Sequence, residues 1–181
     1  VDISGTVQAE LKKLALEQRI RPGQRIALTG GSRGVANIAL ILKTVVDYLK
    51  SLGAEPFIFP AMGSHGGATA EGQSALLAHY QVTERYTGAP VLSSMDAVEI
   101  SRTQDGVPVF IDKIAFEADG IIVINRIKPH TKFKAPIESG LMKMMAIGMG
   151  KQKGAEYYHK AAIQYTFPKM IIDAGREVLK K

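Results

Sequence analysis

The sequence predicts an α/β domain with an open, parallel-rich sheet, helices on both faces and a β-hairpin insertion. Two strand–loop–helix units follow one another between residues 25 and 80. A third apolar run, GIIVINRI at 120–127, has the composition of a buried central strand. Between them, two β-like runs flank Asp105-Gly106, a dipeptide typical of hairpin turns. Successive strand–loop–helix units favour a parallel sheet whose loops meet at the carboxyl edge of the strands.

Glycine and proline divide the first 80 residues into elements. Apolar residues spaced among charges predict an amphipathic helix over residues 5–19, and Pro22-Gly23 predicts a turn. The first unit then comprises strand 25–29, the tight loop GGSRG at 30–34 and helix 35–52, which Gly53 ends. The second unit comprises strand 56–60, a glycine-rich loop at 61–69 and helix 70–80.

The rest of the chain is predicted as a hairpin followed by a helical region. The hairpin strands are expected at 97–103 and 107–114. A helix is expected to begin near Ser139, because a serine hydroxyl can cap a helix N-terminus. The segment AEYYHKAAIQY continues the helical pattern, and a final helix has Pro168 in its first turn, where proline is favoured.

The composition is that of an ordinary globular domain. The chain has 181 residues, which suits one domain, with 46% apolar and 22% charged residues. No run approaches the roughly 18 apolar residues of a membrane span, and no signal peptide is recognisable, so we expect no membrane partner and a cytoplasmic protein. Cysteine is absent, which excludes disulfides and thiolate metal sites.

Positive charge is concentrated in residues 125–160. This segment has eight basic and two acidic residues, a net charge of +6 that equals the charge of the whole chain. It also contains two of the four histidines, His130 and His159. A strong local positive field around imidazoles indicates an anionic ligand.

The two glycine-rich loops carry the first candidate site residues. In GGSRG, the backbone of Gly31 and Ser32 could hold a phosphate or carboxylate, and Arg33 could add a bidentate contact. The alternative is a tight turn with an exposed arginine. In GSHGGAT, His65 stands between small residues at a predicted ligand-binding edge, so we favour a site role. His79 lies near a helix end and is assigned no role.

The basic segment supplies three further candidates. His130, in KPHTK, is surrounded by lysines that favour a neutral imidazole able to act as a base. Lys143, in an apolar stretch, either reaches solvent or is desolvated and reactive. His159 comes 16 positions later, about 24 Å away in one straight helix, but intervening glycines allow the chain to fold back.

Taken in order, these motifs resemble the nickel-dependent lactate racemase family, which uses a nickel-pincer nucleotide. An arginine follows the first strand in GGSRG, and a histidine follows the second in GSHGG. A histidine follows the third strand in KPHTK, and SGLMK precedes the histidine of YYHK by the stated 16 positions. The likeness spans roughly residues 20–165 and rests on the ordered combination of short motifs.

The resemblance implies a role for each motif. The lysine matching Lys143 is joined to the cofactor through a thioamide, and the histidine matching His159 is a nickel ligand beside two sulfurs and one carbon of the cofactor. The histidines matching His65 and His130 form the acid/base pair, one for each enantiomer of a 2-hydroxy acid, while hydride passes to and from the cofactor. The other expected cofactor contacts are Gly31, Ser32, Arg33 and Ser139.

Three departures from the family pattern bear on the substrate. Gly30 stands where the family usually has an aspartate, and Gly66 stands where the lactate enzymes have an arginine. The 13 positions between His130 and Lys143 are a few more than in those enzymes. A small anionic 2-hydroxy carboxylate other than lactate is therefore at least as plausible a substrate.

Family members also have a second α/β domain that closes the site. We therefore expect residues 1–181 to form a single α/β domain, the N-terminal cofactor-bearing part of a longer two-domain protein, inactive alone. Two alternatives stay open: a non-catalytic binding module for a phosphorylated or anionic metabolite, and a nucleic-acid binder. The second ranks last because aromatic residues for base stacking are scarce in the basic segment. The oligomeric state is not predicted.

Overall fold

The computed structural model describes residues 1–129 and 134–181. The described helices are α1 (Ile3–Lys13), α2 (Ile38–Ser51), α3 (Ala70–His79), α4 (Glu84–Thr87), α5 (Lys113–Phe116), α6 (Leu141–Lys143), α7 (Lys151–Tyr165) and α8 (Phe167–Val178). The described strands are β1 (Arg25–Gly30), β2 (Glu55–Pro60), β3 (Ala97–Arg102), β4 (Pro108–Asp112) and β5 (Gly120–Ile122). A π-helix spans Met144–Gly148, between α6 and α7.

The strands form a parallel sheet and a separate hairpin, which confirms the predicted fold class. The sheet has the order β2-β1-β5, with Leu28 of β1 beside both Ile58 and Ile122. Strands β3 and β4 pair antiparallel around the Asp-Gly turn. Because all three sheet strands run the same way, the loops that follow them leave from one edge.

The prediction of a central strand at 120–127 is wrong, since β1 occupies the centre and β5 lies beside it on the outside. Ladder pairing of β5 ends at Ile122. Beyond it, the Thr29 hydroxyl accepts a hydrogen bond from the Ile124 N–H (2.8 Å) and donates one to the Ile124 carbonyl (3.1 Å). A side chain thus replaces the backbone pairing that a longer strand would make.

Two hydrophobic cores lie on opposite faces of the sheet, because successive side chains of a strand alternate between its faces. Ala27, Phe57 and Phe59 belong to one core, with residues of the hairpin, the π-helix, α7 and α8. Leu28 and Ile58 belong to the other, with residues of α1, α2 and α3. The helices predicted on both faces are therefore present.

Backbone conformation explains where the helices depart from prediction. The first helix ends at Lys13 rather than near residue 19, because Ala15 adopts a left-handed conformation (φ 48°). Helix α2 begins at Ile38 rather than 35, after Asn37 at φ 59°. Pro168 lies in the first turn of α8, as predicted. In the described part of the chain, no helix is long and apolar enough to cross a membrane.

Candidate functional site

The loops that follow β1 and β2 meet at the carboxyl edge of the sheet. The Ser32 hydroxyl is hydrogen-bonded to Nδ1 of His65, although the two residues are 33 positions apart. The Tyr80 hydroxyl donates to the Ser32 carbonyl (3.0 Å), which holds the first loop in place. With Nδ1 engaged by Ser32, Nε2 is the His65 nitrogen left for a ligand.

Cationic side chains from separate segments surround His65. Partial burial lowers the pKa of His65 below its ordinary value, and the positive charges of Arg33 and Lys143 lower it further. Burial likewise lowers the pKa of Lys143, with contributions from Arg33 and Lys128. The site therefore favours a neutral imidazole and has a positive field that attracts anions.

Lys143 is half-buried beside the first glycine loop. A Cβ atom on Gly31 would lie 3.1 Å from Cε of Met144, so the glycine allows the loop to lie against the segment that carries Lys143. The Asn125 side chain donates to the Gly140 carbonyl (2.9 Å) and joins the residues after β5 to the same segment. Three predicted site residues, Ser32, Arg33 and Lys143, thus interact with His65, and Gly31 allows the loop that carries two of them to lie against Met144.

Ser139 does not have the predicted capping role. Gly140 occupies the N-cap position of α6 and provides no side-chain cap. The Ser139 hydroxyl instead accepts a hydrogen bond from the Lys128 N–H (2.9 Å) and donates to the Lys128 carbonyl. Ser139 thereby fixes the backbone of a lysine whose charge acts on Lys143.

Phe167 connects Lys143 with His159. The ring of His159 stacks on that of Phe167, with centroids 5.0 Å apart and planes at 12°. The Lys143 ammonium lies 6.0 Å from the same phenylalanine centroid, so Lys143 Nζ is within 11 Å of the His159 ring centre. The chain therefore folds back between the two residues. Sequence reasoning missed Phe167, which belongs to no motif and is marked only by the adjacent Pro168.

Of the two remaining histidines, His79 alone lies among the described residues. His130 lies outside the described residues, so its place in the site remains a prediction. His79 packs edge-on against Tyr80, with ring centroids 5.4 Å apart, and nothing in its surroundings assigns it a role.

Lys151 does not contribute to the surface charge of the basic segment, although it is one of the eight basic residues counted in the +6 net charge of that segment. Its side chain is fully buried and forms an ion pair with Asp112 at 3.2 Å. Burial lowers the pKa of Lys151 and raises that of Asp112, and the attraction between the two charges opposes both effects. The accessible positive field is therefore smaller than the +6 of the segment, which weakens the nucleic-acid alternative.

Steric contacts constrain Gly30 and Gly66, the two glycines at which the sequence departs from the expected motif pattern. A Cβ atom on Gly30 would lie 2.8 Å from a terminal methyl of buried Leu77. A Cβ atom on Gly66 would lie 2.8 Å from backbone atoms of Gly72 and Gln73. At Gly66 the close atoms belong to the backbone and cannot rotate away, so this position has no room for a side chain, whereas at Gly30 the Leu77 side chain would have to move.

The described residues do not form a metal site by themselves. Within 1–129 and 134–181, no group of three or more histidine, cysteine, aspartate or glutamate side chains could hold a metal ion. His159 can offer one imidazole nitrogen, and any other donors would come from a bound group.

The sequence matches a known protein family over most of its length. A family model described as the lactate racemase N-terminal domain matches residues 3–167. No protein of curated function matches the chain. The matched residues include the Ser32–His65 pair, Lys143, His159 and Phe167.

Proposed function

Because the chain belongs to the lactate racemase N-terminal domain family, we propose that it carries the acid–base and cofactor-binding groups of a 2-hydroxy-acid racemase or epimerase. The observation that carries the proposal is the convergence of the Ser32–His65 pair with Arg33 and Lys143 at one edge of the sheet. The full enzyme would be a two-domain protein in which a second α/β domain closes over this edge.

His65 would exchange a proton with the 2-hydroxyl of the substrate. Its lowered pKa favours the neutral imidazole. In the tautomer whose Nδ1–H donates to the Ser32 hydroxyl, Nε2 is the unprotonated nitrogen that would take the proton. The same nitrogen would return the proton in the reverse reaction, which re-forms the same enantiomer. His130 would perform the corresponding steps for the opposite enantiomer, and the Arg33 guanidinium suits a bidentate contact with the substrate carboxylate.

The residues fit the nickel-pincer nucleotide on which the family depends. Lys143 is half-buried and its pKa is lowered, so its amine is uncharged more often than that of an exposed lysine. An uncharged amine is suited to covalent attachment. His159 would provide the single protein donor to nickel, which agrees with a chain that lacks cysteine. The chemistry that such a group supplies when bound is acceptance and return of hydride at C2 of the substrate.

Gly30 and Gly66 favour a substrate other than lactate. The aspartate and arginine that the family pattern has at these positions would each need space that backbone or core atoms occupy here. The site would then lack two polar side chains that the family pattern offers to a small 2-hydroxy acid. We propose a different 2-hydroxy carboxylate, recognised through Arg33 and the lysines nearby.

The test is to produce the full-length protein together with the enzymes that make the cofactor. Intact mass and peptide mapping should find an adduct on Lys143. A nickel assay should find about one nickel per chain, because His159 is the single protein donor proposed for the metal. His65→Ala should lower turnover at least about 100-fold in a screen of 2-hydroxy acids. His79→Ala, the matched control, should leave turnover unchanged. Unmodified Lys143 in a host shown to make the cofactor would contradict the proposal.

The convergence of cationic groups also supports the second candidate, a non-catalytic module that binds an anionic metabolite. Arg33, Lys128 and Lys143 would then bind the anion, and His65 would be incidental. This candidate predicts that His65→Ala changes anion affinity only slightly, whereas Arg33→Gln weakens it. Calorimetric titration with inorganic phosphate and with 2-hydroxy acids separates the two functions.

A further inference from the structure

Lys151 is a buried cation that joins three separate elements. Its ammonium donates hydrogen bonds to the Pro60 carbonyl (2.9 Å) at the end of β2 and to Oε1 of Gln73 (2.7 Å) in α3. It also pairs with Asp112 Oδ2 (3.2 Å) at the end of β4. Lysine is almost never fully buried unless it is paired, so this arrangement specifies one geometry for its partners.

The backbone position of Lys151 is equally unusual. Its φ of 57° lies in the left-handed region, which favours glycine over residues with a Cβ atom. It begins α7, eight residues after Lys143 and eight before His159. The buried side chain therefore holds the junction between the π-helix segment after Lys143 and the helix that carries His159.

Gln73 connects Lys151 with the loop that contains His65 through hydrogen bonds at both ends of its side-chain amide. Since Oε1 of this buried amide accepts from Lys151, its Nε2 must face the loop. There Nε2 donates to the carbonyls of Gly63 (2.8 Å) and His65 (3.1 Å). One ammonium group thus determines which end of the amide supports the histidine.

We propose that Lys151 is a positioning residue that acts through Gln73 to hold the backbone of His65, and with it the imidazole, against Ser32. Its importance for turnover rests on the proposed function, in which His65 moves the substrate proton. The structural part of the proposal does not need that function. A lysine that only filled the core would stabilise the whole domain without a selective effect on His65.

Two variants test this, because removing Lys151 alone would leave the Asp112 carboxylate buried and unpaired. Gln73→Met breaks the connection and leaves the Lys151–Asp112 pair in place. The double variant Lys151→Met with Asp112→Asn removes both charges together. Lys153→Met is the matched control, since its ammonium lies outside the network, 4.7 Å above the Phe110 ring.

The measurements are made in the full-length protein and need neither cofactor nor turnover. NMR of the histidine rings should show shifted His65 signals in both variants, with the His79 signals unchanged. The amide of His65, which is bonded to the Met62 carbonyl, should exchange with solvent about 10-fold faster than in the parent protein. The amide of Leu28 in β1 reports global opening and should change much less. Lys153→Met should alter none of these.

Several results would overturn the proposal. Unchanged His65 signals and exchange in Gln73→Met would do so, and so would equal acceleration at His65 and Leu28, which would indicate only general loosening. If the double variant does not fold, Gln73→Met decides alone. In an active enzyme, both variants should lower kcat about 10-fold and leave KM within about twofold. Absence of turnover in the parent protein would count against the proposed function and not against this inference.

Discussion

Alanine substitutions at the two adjacent glycines after His65 should differ sharply in their effect on stability. Gly66 and Gly67 have nearly the same left-handed backbone, with φ of 64° and 67°. A Cβ atom on Gly67 would meet nothing within 4 Å. A Cβ atom on Gly66 would lie 2.8 Å from the Gln73 nitrogen and from the carbonyl group of Gly72, which are backbone atoms of α3 and cannot rotate away.

The pair therefore separates backbone strain from steric overlap. Both variants are strained by the left-handed conformation, at about 1–2 kcal/mol each. Gly66→Ala adds overpacking of about 1–3 kcal/mol, and the difference between the variants is that second contribution alone. For a domain of this size, 1 kcal/mol shifts Tm by about 2–4 °C. Gly66→Ala should thus melt roughly 2–12 °C below Gly67→Ala.

Thermal unfolding followed by circular dichroism, at one pH and scan rate for both variants, measures this difference. Equal melting temperatures would refute the steric reasoning for Gly66. A third variant provides an internal check. A Cβ atom on Gly72 would lie 1.9 Å from the Gly66 carbonyl oxygen, so Gly72→Ala should be at least as destabilising as Gly66→Ala.

Three further predictions concern the site and its support. Ser32→Ala should lower kcat about fivefold to tenfold at unchanged KM, because it removes a hydrogen bond of about 1 kcal/mol to His65. Arg33→Gln should raise the pKa of His65, since it deletes a charge that lowers it; an unchanged midpoint in an NMR titration would contradict this. Tyr158→Phe should lower the free energy of unfolding in urea by about 1–3 kcal/mol, because the buried Phe110 N–H loses its acceptor. It should also abolish the tyrosine absorbance change near pH 12, since burial raises the pKa of Tyr158 to about 12.

Local patterns in the sequence were sufficient to predict the fold class. Glycine loops between apolar runs and helical segments indicated parallel strands, and Asp105-Gly106 indicated the hairpin; both are present. These signals succeed because turn chemistry and side-chain periodicity act over a few residues. The ordered motifs also predicted the family, which the match over residues 3–167 confirms.

The same local patterns could not predict how many neighbours a strand has. The run at 120–127 is apolar enough for a central strand, yet β5 lies at the outside of the described sheet. Its ladder ends where the Thr29 hydroxyl takes over the backbone bonds of Ile124. That contact joins residues 95 positions apart, beyond the reach of any window of sequence.

The sequence by itself determined the strands, most helices, the family and the list of chemically capable side chains. Tertiary structure decided what surrounds each of them. Lys143 and Lys151 both belong to the basic segment, yet Lys143 is half-buried beside His65 and Lys151 is fully buried against Asp112. The physical reason is that burial and neighbouring charges govern the pKa and the contacts of a side chain. Those neighbours come from distant parts of the chain, which only the folded sheet brings to one edge.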